Sequence, residues 1–166
     1  MPSGSIALSV LSADDWRLWR DLRLEALREA PYAFGAPLSD WQGAGDTEAR
    51  WRERFTNVPL NIIALLDSTP AGMVGALVAD GNTVELISMW VAPFARGRGV
   101  GDALIQAIVP WAEKQHADRL VLSVRNDNAR AIALYARHGF IDAGPDPTIA
   151  GGEPPERRMI KSLTLG

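Results

Sequence analysis

The densest chemistry in this chain lies in Val91-Ala-Pro-Phe-Ala-Arg96-Gly97-Arg98-Gly99-Val100-Gly101. An apolar, β-branched run of strand length, Val84 to Val91, comes before it. After it comes Asp102 to Lys114, in which Leu104, Ile105, Ile108 and Trp111 recur at helical spacing. A strand, a glycine-rich turn and a helix start in that order make an anion cradle. Glycines let the backbone come close to a ligand, and the first-turn amides of a helix have no intrahelical acceptor. Those amides and the positive end of the helix dipole attract phosphate oxygens, and Arg96 and Arg98 add positive charge. The stretch predicts a site for a phosphorylated cofactor. The alternative is a tight turn flanked by two solvated arginines.

Two well-known phosphate loops do not match. A P-loop ends in Gly-Lys-Ser/Thr, and here that place holds Val100-Gly101-Asp102. A dinucleotide fingerprint needs a third glycine, which falls on Asp102 or Leu104 depending on the starting glycine. What remains, Arg96-x-x-Gly99-x-Gly101, resembles the Arg/Gln-x-x-Gly-x-Gly/Ala signature of the GNAT acyltransferases. Downstream, Arg119 to Val124 reads as a second buried strand. It leads into Asn128-x-x-Ala131-x-x-x-Tyr135-x-x-x-Gly139-Phe140, which is similar to a second segment of that family. The resemblance covers residues 84 to 140.

The resemblance implies an α/β chain forming a single GNAT domain over residues 1–166, its mixed, mostly antiparallel sheet flanked by helices. It implies acetyl-CoA as acyl donor and direct attack by a primary amine of a small molecule or peptide. The backbone amides of Gly97, Arg98, Gly99, Val100, Gly101 and Asp102 would take the pyrophosphate, with Arg96 or Arg98 near its oxygens. The pantetheine arm would pair with the backbone of Met89, Trp90 and Val91, whose side chains are free to serve the core. Asn128 would contact that arm; an N-cap is the equal alternative. Tyr135 would protonate the departing thiolate, since the pKa of a thiol, about 8.5, is close enough to that of a phenol, about 10, for a nearby phenol to return that proton. Its plain alternative is a core tyrosine. Glu85 is the candidate base for the amine, against the alternative of a rim glutamate. Rival readings are a longer acyl group, a hydroxyl acceptor, or a non-catalytic acyl-CoA sensor or partner module. Dimers are common in the family, but no surface here is marked for one.

The elements that must position these residues can be read around the motifs. Ser5 to Val10 is a half-buried strand, and Ser12 with Asp15 forms a capping box for a helix through Trp16, Trp19, Leu22 and Leu27 that Pro31 stops. Tyr32 to Gly45 reads as a loop, in which Tyr32, Phe34 and Trp41 serve either the core or an acceptor pocket. Asp46 is expected to cap a short helix through Phe55, on which Arg50, Arg52 and Arg54 alternate with Trp51, Glu53 and Phe55 and read as a solvated face. Asn61 to Asp67 and Gly72 to Ala79 are strands, and Asp80-Gly81-Asn82 turns into the Val84 strand. Pro110 should bend or end its helix. Gly139 is expected to end the Tyr135 helix in left-handed geometry. Phe140 to Ala143 and Met159 to Leu165 are the last strands, separated by a loop.

At 166 residues with 47% hydrophobic and 22% charged content, the chain suits one globular domain. It has no cysteine, which excludes disulfides, thiolate metal sites and a cysteine nucleophile. Two distant histidines suggest no metal site. A net charge of −3 argues against nucleic acid as a partner. Without a signal-peptide pattern or a long apolar run, a cytoplasmic location off the membrane is expected.

Overall fold

The computed structural model describes residues 4–30, 38–145 and 155–163. Strand β1 (Ile6–Val10) leads through a short 3-10 turn into helix α1 (Trp16–Glu29), and helix α2 (Glu48–Asn57) follows. Strands β2 (Leu60–Leu66), β3 (Thr69–Asp80) and β4 (Thr83–Val91) come next. Helix α3 (Val100–Lys114), strand β5 (Arg119–Arg125), helix α4 (Ala129–Arg137), and strands β6 (Ile141–Pro145) and β7 (Glu156–Ser162) complete the described chain. The seven strands are ordered β1-β2-β3-β4-β5-β7-β6. All described pairings are antiparallel except β4 with β5, where Thr83–Glu85 runs parallel to Arg119–Val121. The expected mixed, mostly antiparallel α/β sheet is the observed one.

The contacts divide the chain into two compact units. The first holds residues 1–77 and 88–104, the second residues 78–87 and 105–166. In the first, α1 turns Trp19, Leu22 and Ala26 inward at helical spacing, and they cluster with Trp51 of α2, Ile63 of β2 and Met73 of β3. Gly72 matters for the close approach of backbone to side chain, since a Cβ there would stand 2.9 Å from Val100 Cγ1 and 3.0 Å from the Trp90 carbonyl oxygen. In the second unit, β5 and β7 share a ladder from Arg119↔Ser162 to Arg125↔Glu156. Leu120, Leu122 and Met159 are buried there, as are Ile105 and Ile108 of α3.

Several expectations need correction. Thr47 caps α2 by accepting from Arg50 N at 3.2 Å, one residue beyond the expected Asp46. Asp46 is instead the acceptor for Arg20 Nε at 2.8 Å and for Trp51 Nε1 at 2.7 Å. Helix α3 starts at Val100, two residues early, and runs past Pro110 to Lys114. Pro110 and Gln106 are both exposed, so the carbonyl that loses its i+4 donor at Pro110 can turn to water. Strand β7 begins at Glu156 rather than Met159, held by the β5 ladder, and the expected strand end beyond Leu163 lies outside the described residues, as does most of the expected loop before β7. Short 3-10 turns at Leu38–Trp41 and Gly43–Gly45 occupy part of the segment read as loop. The capping box is present, with Ser12 N donating to Asp15 Oδ2 at 2.9 Å.

Candidate active site

The glycine turn has the conformation its composition suggests. Gly97 and Gly99 stand at φ 76° and 88°, in the left-handed region that glycine enters without a Cβ clash. From Ala103 onward the helical ladder is closed, beginning with Ala103 N to the Gly99 carbonyl at 3.0 Å. The amides of Val100 and Gly101 precede that bond, at the end of the helix where backbone donors outnumber intrahelical acceptors. Gly97 and Arg98 are exposed, and Gly99 is half-buried. This is a fitting seat for a pyrophosphate: exposed glycine backbone feeding the positive end of a helix of 15 residues.

Arg96 has protein partners of its own. Its Nη2 pairs with Glu29 Oε1 at 2.8 Å and its Nε donates to the Val91 carbonyl at 3.1 Å. The other oxygen of Glu29 accepts from the indole of Trp90 at 2.9 Å. One carboxylate at the end of α1 thus joins the close of β4 to the glycine turn. Arg98, exposed, is the arginine better disposed to reach for an incoming anion. Met89 and Val91 are half-buried and Trp90 is buried, so the side chains here serve packing as well.

Sequence reasoning missed Ser88. It sits inside β4 at φ 58°, in a left-handed conformation that non-glycine residues rarely adopt in a strand. The distortion immediately precedes Met89–Val91, and no local signal announces it, since serine is an ordinary strand residue.

In the second unit Asn128 and Tyr135 ride on α4. Asn128 Oδ1 accepts from Ala131 N at 3.2 Å, so the N-cap role is realised. Tyr135 is buried, its ring 5.7 Å from that of Phe140 in an edge-on contact. Burial raises its phenol pKa well above the usual 10, so it is a proton donor and not a base at neutral pH. Gly139 at φ 88° ends α4 as expected, with Phe140 N returning to the Tyr135 carbonyl at 3.1 Å. Glu85 is half-buried on β4 and is the last residue of the parallel ladder, opposite Val121. So the structure gathers Met89–Val91 and Arg96–Asp102 in one unit, and Glu85, Asn128 and Tyr135 in the other.

Among the aromatic residues weighed for an acceptor pocket, Tyr32 and Phe34 lie outside the described residues. Trp41 stacks on Trp51 with ring centroids 4.7 Å apart and receives the Arg50 guanidinium on its face at 3.7 Å, which is a packing role. Arg52 does lie on a solvated face, paired with Glu48 and Asp14. Arg54 does not: it turns inward, against the expectation for that helix face. No described helix is long and apolar enough to cross a membrane.

Comparison with known proteins bears on these observations. The model of the acetyltransferase (GNAT) family matches residues 17–140. A mycothiol acetyltransferase from Clavibacter michiganensis subsp. michiganensis is 33% identical over 150 residues, covering 88% of this chain and 45% of its own length. The chain therefore spans about half the length of the curated relatives that match it over most of its residues. Among solved structures, Ard1 from Thermoplasma volcanium superposes with a TM-score of 0.74 at 17% identity, covering 96% of this chain and 98% of that one. The PaiA N-acetyltransferase from Thermoplasma acidophilum, solved in complex with coenzyme A, gives 0.70 at 17% identity, covering 95% and 99%. These two likenesses concern the fold. With a left-handed glycine turn opening α3, the family match across three quarters of the residues, and the same architecture in solved relatives, the chain belongs to the acetyltransferase (GNAT) family.

Proposed function

We propose that this protein is an N-acetyltransferase that moves an acetyl group from acetyl-CoA to a primary amine of a small molecule or peptide. The observation that carries the proposal is the turn Arg96–Asp102, with two glycines in left-handed geometry leading into the first turn of α3. Gly97, Arg98, Gly99, Val100, Gly101 and Asp102 would hold the pyrophosphate, and the backbone of Met89, Trp90 and Val91 the pantetheine arm. Acetyl-CoA supplies the activated acyl group when bound. The chain's own contribution is to orient the donor, keep a proton on Tyr135 Oη for the departing thiolate, and help the amine reach its neutral form. Lysine-like amines have a pKa of about 10.4, which gives Glu85 its role as base. Asn128 contributes to the donor site in addition to its cap.

Calorimetric titration with acetyl-CoA, with NADH as the comparison, tests the reading. Binding of acetyl-CoA but not NADH, weakened in Gly99→Val, followed by amine acetylation in a screen, is the expected result. A β-branched residue at φ 88° is strained even though a Cβ there meets only Ile6 Cδ1 at 3.7 Å. Acetyl-CoA binding with no acceptor acetylated would favour a sensor. No binding at millimolar cofactor would reduce the glycine turn to a connector.

A further inference from the structure

Arg158 on β7 makes no hydrogen bond or ion pair with any described residue. Its Nε is closed off from solvent without an acceptor, while Nη1 and Nη2 are not closed off. The base of the side chain is thus enclosed, and the forked end of the guanidinium is what it presents. Its neighbours follow from the ladders. Ser123 of β5 stands directly opposite Arg158, and Val121 opposite Ile160. Glu85 of β4 stands opposite Val121. Residues opposite one another share a face of the sheet, as do residues two apart on a strand. Glu85, Val121 and Ile160 therefore make one row, and Ser123 with Arg158 the next row on the same face. All of them belong to the second unit.

The opposite face holds Leu120, Leu122, Met159 and Lys161, and Lys161 Nζ donates to the His138 carbonyl at the end of α4 at 2.7 Å. On that face Leu120, Leu122 and Met159 are buried, whereas Ser123, Arg158 and Ile160 are only half-buried. Two features of the backbone make room around Arg158. The β4–β5 ladder ends at Glu85↔Val121, so β5 passes Ser123 without a β4 partner. On the other side, Ala143 and Gly144 of β6 both fall opposite Arg158, between Asp142↔Met159 and Pro145↔Arg157. Such a bulge bends its strand and re-aims the side chains beside it. Gly144 takes φ 93° there, with its N–H donating to Asp142 Oδ1 at 2.7 Å. The acids of the same face leave Arg158 unneutralised, since Glu156 stands opposite Arg125 and Glu85 lies two strands away. Strand spacings of about 4.8 Å and a rise of about 3.3 Å per residue put the Glu85 and Arg158 Cα atoms about 12 Å apart. Two side chains of that length, on one face, leave a gap the size of a small molecule.

We infer that the Nη1–Nη2 fork of Arg158 binds an anionic oxygen group carried by the acceptor, a carboxylate or a phosphate ester, so that amino acids or amino phosphates are preferred to neutral amines. This rests on the acetyl-transfer reading, with Glu85 marking where the amine is held. A guanidinium suits the task because its planar fork matches both oxyanions with two parallel hydrogen bonds and keeps its charge.

The test is steady-state kinetics on matched acceptors: L-amino acids with their carboxamides, and O-phosphoethanolamine with ethanolamine. Each is measured in the wild type and in Arg158→Gln, so that differences in amine basicity cancel. The variant should raise KM for the anionic member of a pair by tenfold or more, with kcat little changed. KM for the neutral member and for acetyl-CoA should stay the same. The pair with the larger loss tells carboxylate from phosphate. Equal losses for both members, or none, would overturn the assignment. If Arg158→Gln fails to fold, Arg158→Lys serves, since it keeps the charge and loses the fork. If no amine is acetylated, the same compounds are titrated against the Nε–H resonance of Arg158 in protein labelled with nitrogen-15 arginine, assigned by its loss in Arg158→Lys. Saturable shifts with the anionic members alone would keep the anion site while the transferase reading falls. Equal shifts, or none, would remove the site as well.

Discussion

Tyr135 holds its proton more firmly than an exposed phenol, because the buried ring would leave a phenolate without water around it. A residue in that state carries its proton at neutral pH, so one is at hand for the departing thiolate, and a phenolate left there would be reprotonated readily. Tyr135→Phe keeps the edge-on contact with Phe140 and removes one oxygen, so the fold and acetyl-CoA binding should survive. Turnover should fall by about a hundredfold or more, the usual worth of a positioned general acid. Steady-state kinetics beside calorimetry measure both, and full turnover in the variant would take Tyr135 out of the mechanism. The same scale shows what residue types conceal. Gly97, Gly99 and Gly139 were legible because only glycine enters the left-handed region freely. Ser88 enters it with no such mark. Arg54 was hidden by a short helix in which arginines alternate with apolar and acidic side chains, so that a charged pattern gave no clue which guanidinium Gly75 would admit.

At the scale of elements, α4 depends on one side chain for its start. Asn128 accepts from Ala131 N, and without that acceptor an amide of the first turn loses its partner. Asn128→Ala should cost about 0.5–2 kcal/mol in denaturant unfolding, the normal range for losing such a cap. Asn128→Asp keeps the cap and should restore that stability. Acetyl-CoA affinity should stay reduced in both variants if Asn128 also serves the donor; full affinity in the aspartate variant would confine it to the cap. Strand and helix order could be read from apolar periodicity because each element carries its own pattern. The insertion of β7 between β5 and β6 could not, because it depends on which distant edge accepts the last strand. The α2 cap was misplaced by one residue since Asp46 and Thr47 are both good caps. The choice went to Thr47 because Arg20 and Trp51 hold Asp46 in the tertiary structure.

For the whole molecule, that same Asp46 ties stability to pH. The donors Arg20 and Trp51 hold its carboxyl down to about 2, against an ordinary value of 3.8. A group whose pKa is lower in the folded state stabilises fully above its unfolded value and ceases to as pH falls through the folded one. The gap in Tm between the wild type and Asp46→Asn should therefore be constant above about pH 5 and close between pH 4 and about 2. Thermal melts across that range measure it, and a gap that persisted at pH 2 would assign the effect to packing. The family and the broad architecture were both legible in the chain from Val84 to Phe140, because those residues combine backbone-determined glycines with a helix of fixed spacing. The N-terminal half, whose side chains meet only after folding, was legible as elements and not as a site.

The Glu29 carboxylate, shared between an indole and a guanidinium, gives the protein an optical property. Trp90 is one of six tryptophans, and its N–H donates to Glu29 Oε2 while Arg96 pairs with Oε1 of the same carboxylate. The emission of an indole follows the electric field across it. Any anion that draws Arg96 from Glu29 changes that field, so events at the glycine turn are written into the colour of Trp90 emission, and the difference spectrum between the wild type and Trp90→Phe isolates them without an added dye.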